Sequence, residues 1–153
     1  QVEIRPALEG MADRLATIEG PAGKLLDVPG APIADNDTPA PPRLLPMWDS
    51  TLLAYKNRSR IIPEQYRKTI IRINGDVLPT LLVDGFVAGV WRPVEGGIEV
   101  SAFHALSDDV WAGLAEEAAS LTKMLAGRDH ALYSRYKNWW REMPHQERRV
   151  LPG

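Results

Sequence analysis

The sequence has no cysteine and no long apolar run, and each absence excludes a class of protein. Without cysteine, the 153-residue chain forms no disulfide, no thiolate zinc site and no cysteine nucleophile, which fits a reducing cytoplasm. A membrane-spanning helix needs about 18 consecutive apolar residues. No run in the sequence approaches that length, so we expect neither a membrane span nor a membrane partner. The chain also lacks an initiator Met and a secretion signal, and it opens inside a helical pattern, so we expect a piece of a longer protein.

What is present is the composition of a folded domain. Hydrophobic residues make up 44% of the chain and charged residues 25%, which is typical of a globular protein of ordinary size with a buried core. The formal net charge of −2 argues against an indiscriminate binder of polyanions. Prolines concentrate in residues 29–42, which we interpret as a linker.

Hydrophobic periodicity and turn residues predict an α+β fold. Apolar residues three and four apart predict one helix near the start of the chain: Ile4, Leu8, Met11, Leu15 and Ile18. Gly20 and Pro21 end it, and residues 24–28 predict a short strand. Four further strands are predicted, at residues 66–73, 78–83, 86–92 and 98–103. Turns at Asn74-Gly75, Asp84-Gly85 and residues 95–97 would join them as a small antiparallel β-barrel or curled meander.

Two helices are predicted to flank the meander. Ser107 is a helix N-cap followed by two acidic residues, and Gly127 supplies the corresponding C-cap. A last helix is predicted over residues 129–142. Within it, Trp139 and Trp140 would either dock the helix on the core, which is the commoner role, or stack on nucleic-acid bases.

The small net charge conceals one strongly basic segment. Residues 56–72 carry six basic side chains against Glu64 alone: Lys56, Arg58, Arg60, Arg67, Lys68 and Arg72. A local excess of this size can bind phosphates. The alternative is a solvated strand edge whose charges prevent pairing between sheets, and charge alone favours that alternative.

Few residues have the pattern of a catalytic or metal site. The three histidines, His104, His130 and His145, have no partner at metal-ligand spacing, so we expect no metal. The sequence also has no G-x-S-x-G elbow and no glycine-rich phosphate loop, so we expect no cofactor and no catalytic residue in this chain. Trp48 and Asp49 interrupt an apolar run and are candidates for a pocket or a structural pair. Asp49 would serve as a helix N-cap or form an ion pair with Arg58 or Arg60.

Three segments resemble a bacterial protein family. They are RLLPMWDSTLL at residues 43–53, NRSRII at residues 57–62, and NGDVLPTLLVDGFVAGVW at residues 74–91, followed by the helix after Ser107. Together they resemble the winged-helix DNA-binding proteins common in actinobacteria, which are related to the AlkZ-type DNA glycosylases. The resemblance extends from about residue 27 to residue 127, and the tail after Arg128 has no counterpart in it.

The resemblance implies tandem winged helices followed by a β-barrel. Residues 1–28 would then end a winged-helix module, residues 29–42 would be the linker, residues 43–127 the barrel with its closing helix, and residues 128–153 a basic C-terminal helix and tail. Characterised members remove alkylated or crosslinked purines from DNA, using a Gln-x-Gln or Gln-x-Asp motif in the winged-helix half. This chain contains Gln1, Gln65 and Gln146 and no such pair, so the resemblance places any catalytic half outside it.

Two functions from different classes remain open. The first is a DNA-binding fragment of a glycosylase-type protein, holding the duplex backbone with the six cations while a hairpin tip, Asn74-Gly75 or Asp84-Gly85, approaches a groove. The second is a non-catalytic scaffold that packs on a missing N-terminal half or on a second copy of the chain.

Overall fold

The computed structural model describes residues 4–20, 23–128, 137–140 and 142–153. These residues form two compact units, Gln1–Thr38 and Pro39–Gly153. Within the described ranges, every helix is too short or too polar to cross a lipid bilayer.

The first unit is a short helix followed by a β-hairpin. Helix α1 covers Arg5–Glu9, a 3-10 turn covers Ala12–Arg14, and strands β1 (Ala16–Gly20) and β2 (Gly23–Asp27) pair antiparallel. The predicted helix through Ile18 is therefore wrong beyond Glu9. Gly10 interrupts the helical pattern, and Ile18 pairs with Leu25 across the hairpin, where a β-branched side chain suits an extended strand.

The described residues of the second unit form one five-stranded sheet and three α-helices. The elements, in chain order, are β3 (Arg43–Leu45), α2 (Ser50–Leu53), α3 (Glu64–Ile70), β4 (Thr80–Val83), β5 (Phe86–Val94), β6 (Gly97–Ala102), α4 (Asp108–Leu125), a 3-10 turn (Lys137–Trp140) and β7 (Glu147–Pro152). The strand order is β3-β4-β5-β6-β7, and all neighbouring strands are antiparallel.

The sheet is an open antiparallel meander, so of the two predicted arrangements the meander is formed and the barrel is not. Its edges are β3, which is 3 residues long, and β7. Helix α4 contacts β3, β6 and β7, so this helix rather than strand closure covers one face of the sheet. Ser107 caps α4 by accepting a hydrogen bond from the Val110 N–H at 3.3 Å, as predicted.

The sheet separates two hydrophobic clusters. Leu81 and Trp91 face α4, where they pack with Trp111 and Leu114. The residues next to them in the strands point to the other face, because side chains alternate along a strand. That second cluster contains nine buried residues: Leu52, Ile62, Ile70, Val77, Leu78, Val87, Val90, Trp140 and Met143.

Residues 66–73 were predicted as a strand, and that prediction is wrong. Most of them belong to α3, which begins after Pro63 with Glu64 in its first turn, a favourable place for a carboxylate. Tyr66 and Ile70, four positions apart, both face the second cluster. A short isoleucine-rich run fits either a strand or one helical face, and here packing selects the helix.

The three predicted turns are present, and the Asp84-Gly85 turn has the expected geometry. Asp84 and Gly85 have φ angles of 49° and 78°, as a type I′ hairpin turn requires. Asn74-Gly75 also forms a turn, but it closes a loop over residues 71–77 in which a single antiparallel bridge joins Ile71 to Val77. This loop follows a helix, so it is not the predicted connection between two strands.

The end of the chain departs from prediction. The predicted helix over residues 129–142 lies largely outside the described residues, and Lys137–Trp140 forms a 3-10 turn. Strand β7, which was not predicted, pairs with β6 from Gly97↔Pro152 to Ala102↔Glu147. Its sequence, ERRVLP, lacks the apolar alternation of a strand, because as an edge strand it buries only Leu151.

Candidate nucleic-acid interface

Three of the six predicted cations lie in the loop between α2 and α3. Lys56 and Arg60 are exposed, and the Arg60 guanidinium lies 5.3 Å from the centre of the Tyr55 ring. Arg58 is half-buried, and its Nε donates a hydrogen bond to the Leu52 carbonyl oxygen at 3.1 Å. Arg58 therefore holds the end of α2 in addition to carrying charge.

Asn57 gives this loop a fixed shape. Its side-chain oxygen accepts hydrogen bonds from the Ser59 backbone N–H at 3.1 Å and from the Ser59 hydroxyl at 2.6 Å. At the far end of the loop, the Val87 N–H donates to the Ile61 carbonyl at 2.8 Å, which attaches the loop to β5. The loop cations are thus carried on a segment that is bonded at both ends.

The other three cations belong to α3 and the residue that follows its end. Arg67 and Lys68 lie in the last turn of α3, where the helix dipole favours positive charge, and Lys68 is exposed. Arg72 follows α3 and is fixed through its backbone. Its N–H donates to the Asp76 carbonyl at 2.8 Å, and its own carbonyl accepts from the Gly75 N–H at 2.9 Å.

None of these six cations forms an ion pair with a carboxylate among the described residues. The ion pairs that the described residues contain use other arginines: Arg43 with Glu117, Arg92 with Glu99, and Arg149 with Glu147. The Arg92–Glu99 pair has a hydrogen bond from Nη2 to Oε2 at 3.1 Å and a 2.8 Å contact between Nε and Oε1, and it joins β5 to β6. Arg43, Arg92 and Arg149 thus join parts of the fold, whereas the cations of the basic segment have no carboxylate partner in the described parts of the chain.

Arg72 also lines a surface depression of about 420 Å³. The other lining residues are Lys68, Ile73, Asn74 and Trp139. The Arg72 guanidinium lies 5.3 Å from the centre of the Trp139 ring, a cation–π contact. Trp140 is buried in the second cluster, and Trp139 is half-buried and packs against the edge of the same cluster.

The sequence did not predict that Trp139 and Arg72 meet. They lie far apart in the chain, and no local pattern joins a tail tryptophan to a residue beyond the end of α3. The pair of adjacent tryptophans indicated only that this tail segment packs on something, and both of them do contact the second cluster.

Asp49 is the N-cap of α2, which confirms one of its two predicted roles. Its Oδ1 accepts a hydrogen bond from the Thr51 N–H at 2.8 Å. Among the described residues it forms no ion pair with Arg58 or Arg60, so the pairing alternative is not realised.

Trp48, immediately before Asp49, is 38% exposed and has a φ angle of 55°, which is rare for a bulky side chain. The Trp48 backbone N–H donates to the Val77 carbonyl at 3.3 Å.

The histidines described in the structure bond locally. The Nδ1 of His104 lies 3.0 Å from the Ala105 carbonyl oxygen, and the Nδ1 of His145 lies 2.9 Å from that of Met143. Within the described parts of the chain, no three His, Asp or Glu side chains are grouped as metal ligands would be.

Comparison with known proteins gives one family and one similar fold. The family described as AlkZ-like DNA glycosylases matches residues 1–124. The DNA glycosylase AlkZ of Streptomyces sahachiroi has a similar structure, with a TM-score of 0.63 and 23% identity, over 78% of this chain and 33% of that one. This chain thus spans about a third of the length of that protein. No curated protein sequence matches the chain.

Proposed function

The chain belongs to the AlkZ-like DNA glycosylase family, and from this premise we propose that it is the part of such a protein that holds the DNA backbone. Residues 1–28 would be the end of a winged-helix module, and the β1–β2 hairpin after a helix supports that assignment. The remainder of a longer, bacterial and cytoplasmic protein would supply the further winged helices. Base removal from alkylated DNA would be carried out there, since no glutamine pair of the glycosylase type occurs in this chain.

The observation that carries the proposal is the free charge of the six cations. Lys56, Arg58, Arg60, Arg67, Lys68 and Arg72 have no carboxylate partner among the described residues. Unpaired arginine and lysine side chains on a structured surface bind phosphates by charge-assisted hydrogen bonds. Contacts of this kind position a duplex without reading its sequence, so little sequence preference follows.

The loop over residues 71–77 is the hairpin tip best placed to approach a groove. Its outermost residues, Ile73, Asn74 and Gly75, are exposed, and Arg72 and Lys68 lie beside them. The other candidate tip, Asp84-Gly85, carries a carboxylate and no neighbouring cation in the chain. The first tip also contains a carboxylate, Asp76, but Lys68 and Arg72 lie beside that tip, so a phosphate backbone is attracted to the first tip and repelled by the second.

Fluorescence anisotropy on a short DNA duplex, titrated over a range of salt concentrations, tests the proposal. We expect a dissociation constant between about 1 and 100 μM that rises steeply with salt. Arg60→Gln and Lys68→Gln should each weaken binding on every duplex sequence and lower the salt slope by about one unit. Arg43→Gln is the matched control: it removes one charge from an exposed surface pair with Glu117 and should leave the slope unchanged.

No binding at low salt would contradict the proposal and leave the second candidate, a scaffold. Apolar side chains of the first unit favour that candidate, because none of its described residues is buried. Leu26 is 52% exposed, Val28 61% and Ile33 78%. A surface of this kind packs on the missing N-terminal region or on a second copy. A sedimentation mass that rises with protein concentration would support the second copy.

A further inference from the structure

The depression beside α3 is lined by residues from two parts of the chain, one inside the family match and one beyond its end. Lys68, Arg72, Ile73 and Asn74 lie in the segment that matches the glycosylase family, whereas Trp139 lies in the tail beyond residue 124. The tail therefore adds an aromatic ring to a basic surface that the family segment forms.

Arg72, one of the two cationic residues of the depression, is held in place before any ligand arrives. The Arg72 backbone is bonded through both its N–H and its carbonyl, and its guanidinium rests on the Trp139 ring. The Arg72 Nε is inaccessible from the surface and has no hydrogen-bond acceptor among the described residues. Contacts to a ligand therefore fall to the other nitrogens of the guanidinium.

The rim of the depression is rigid on its other side. The Asn74 Nδ2 donates to the Asp76 carboxylate at 2.6 Å, and the Asn74 side-chain oxygen accepts from the Asp76 N–H at 3.2 Å. These bonds tie the Asp76 carboxylate to Asn74 within the loop. Lys68 and Arg72 are the charged groups among the residues that line the depression.

We propose that this depression binds one phosphodiester of a DNA strand, with Lys68 and Arg72 as the donors and Trp139 as the residue that positions the Arg72 guanidinium. This proposal rests on the proposed function, since it assigns the ligand to DNA. A guanidinium whose plane is held by an aromatic ring loses less rotamer freedom when it binds an anion. Trp139 of the tail thus strengthens the contact between Arg72 and the phosphate, and the tryptophan ring itself need not touch the DNA.

A double-mutant cycle on duplex affinity tests the coupling of Trp139 to Arg72. Trp139→Ala should weaken binding about two- to fivefold, as expected for the loss of one exposed cation–π contact, although it removes no charge. Arg72→Gln should weaken binding further and lower the salt slope by about one unit. In the Arg72→Gln background, Trp139→Ala should have no additional effect, because there is no guanidinium left to position.

Two further variants separate positioning from a general structural role. Trp139→Phe keeps a ring face and should restore most of the affinity that Trp139→Ala loses. Arg72→Lys keeps the charge and should retain the salt slope while losing affinity, since an ammonium lacks the planar fork. Thermal unfolding of each variant identifies any that fail to fold. If Trp139→Ala does not fold, the cycle is measured with Trp139→Leu, which keeps apolar packing on the second cluster but removes the ring face.

The outcomes distinguish failure of this inference from failure of the proposed function. If the unaltered chain binds DNA and the effects of Trp139→Ala and Arg72→Gln are simply additive, the positioning role is wrong while the proposed function stands. If the unaltered chain binds no duplex, the proposed function fails first. If Arg72→Gln abolishes competition by inorganic phosphate but leaves duplex affinity unchanged, the site takes a free anion and this inference is overturned.

Discussion

Trp111 in α4 donates a hydrogen bond from its indole Nε1 to the Glu147 carboxylate at a distance of 2.9 Å. The same carboxylate accepts from the Leu106 N–H at 3.3 Å and from Arg149 at 3.3 Å, and the Arg149 guanidinium lies over the Trp111 ring. Glu147 begins β7, so one side chain attaches the last strand to the helix that covers the sheet. The tail is therefore an integral part of the second unit, although the family match ends at residue 124.

Replacing Glu147 should destabilise the second unit. Glu147→Ala leaves the partly buried Trp111 and Leu106 donors without an acceptor, so we expect the free energy of unfolding to fall by about 1–3 kcal/mol. Glu147→Gln keeps one acceptor oxygen and should lose less. Urea denaturation measures both. Glu116→Ala, an exposed position on α4, is the control and should change stability by less than about 0.5 kcal/mol.

Replacing Arg58 should lower both stability and DNA affinity, whereas replacing Arg60 should lower DNA affinity alone. Arg58→Ala removes the bond to the Leu52 carbonyl and should lower the free energy of unfolding by about 1 kcal/mol in addition to weakening DNA binding. Arg60→Ala removes the same charge from an exposed side chain and should weaken binding with little loss of stability. Thermal unfolding and anisotropy, measured on both variants, check this difference. Equal melting temperatures for the two would show that the Leu52 contact contributes nothing.

Asp49 should act as a helix cap and not as part of a DNA site. Asp49→Ala is expected to cost about 1 kcal/mol of stability, whereas Asp49→Ser retains an oxygen that accepts from Thr51 and should cost less. Neither change should weaken duplex binding by the folded protein. A clear loss of affinity in Asp49→Ser, with stability intact, would instead place Asp49 at the interface.

Gly89 should tolerate no side chain. The reason is the lack of space for a Cβ atom, since the φ angle of Gly89 lies outside the left-handed region. A Cβ at this position would overlap the Ser101 carbonyl oxygen and lie 2.9 Å from the Ala102 Cα, where β5 pairs with β6. We expect Gly89→Ala to destabilise the sheet by about 1–3 kcal/mol or more, measured by denaturant unfolding. Gly85→Asn is the matched control. Gly85 has positive φ and no atom within 4 Å of an added Cβ, and asparagine accepts that conformation.

Features that depend on a few neighbouring residues were determined by the sequence itself. The Asp84-Gly85 turn, the strands that flank it and the Ser107 cap of α4 all follow from local chemistry: positive φ at two turn residues, alternation along a strand, and a hydroxyl that accepts from the first helical turn. The cation-rich segment could also be identified from the sequence, because the charges of its side chains do not depend on how the chain folds.

Features that depend on distant partners were decided only by the tertiary structure. Residues 64–70 became a helix because Tyr66 and Ile70 reach the second cluster on one helical face, an outcome that their isoleucine content could not select. The polar segment Glu147–Pro152 became a strand because β6 offers an unpaired edge. Arg72 and Trp139 meet for the same reason, since long-range packing brings the tail back to α3 and no local pattern encodes that contact.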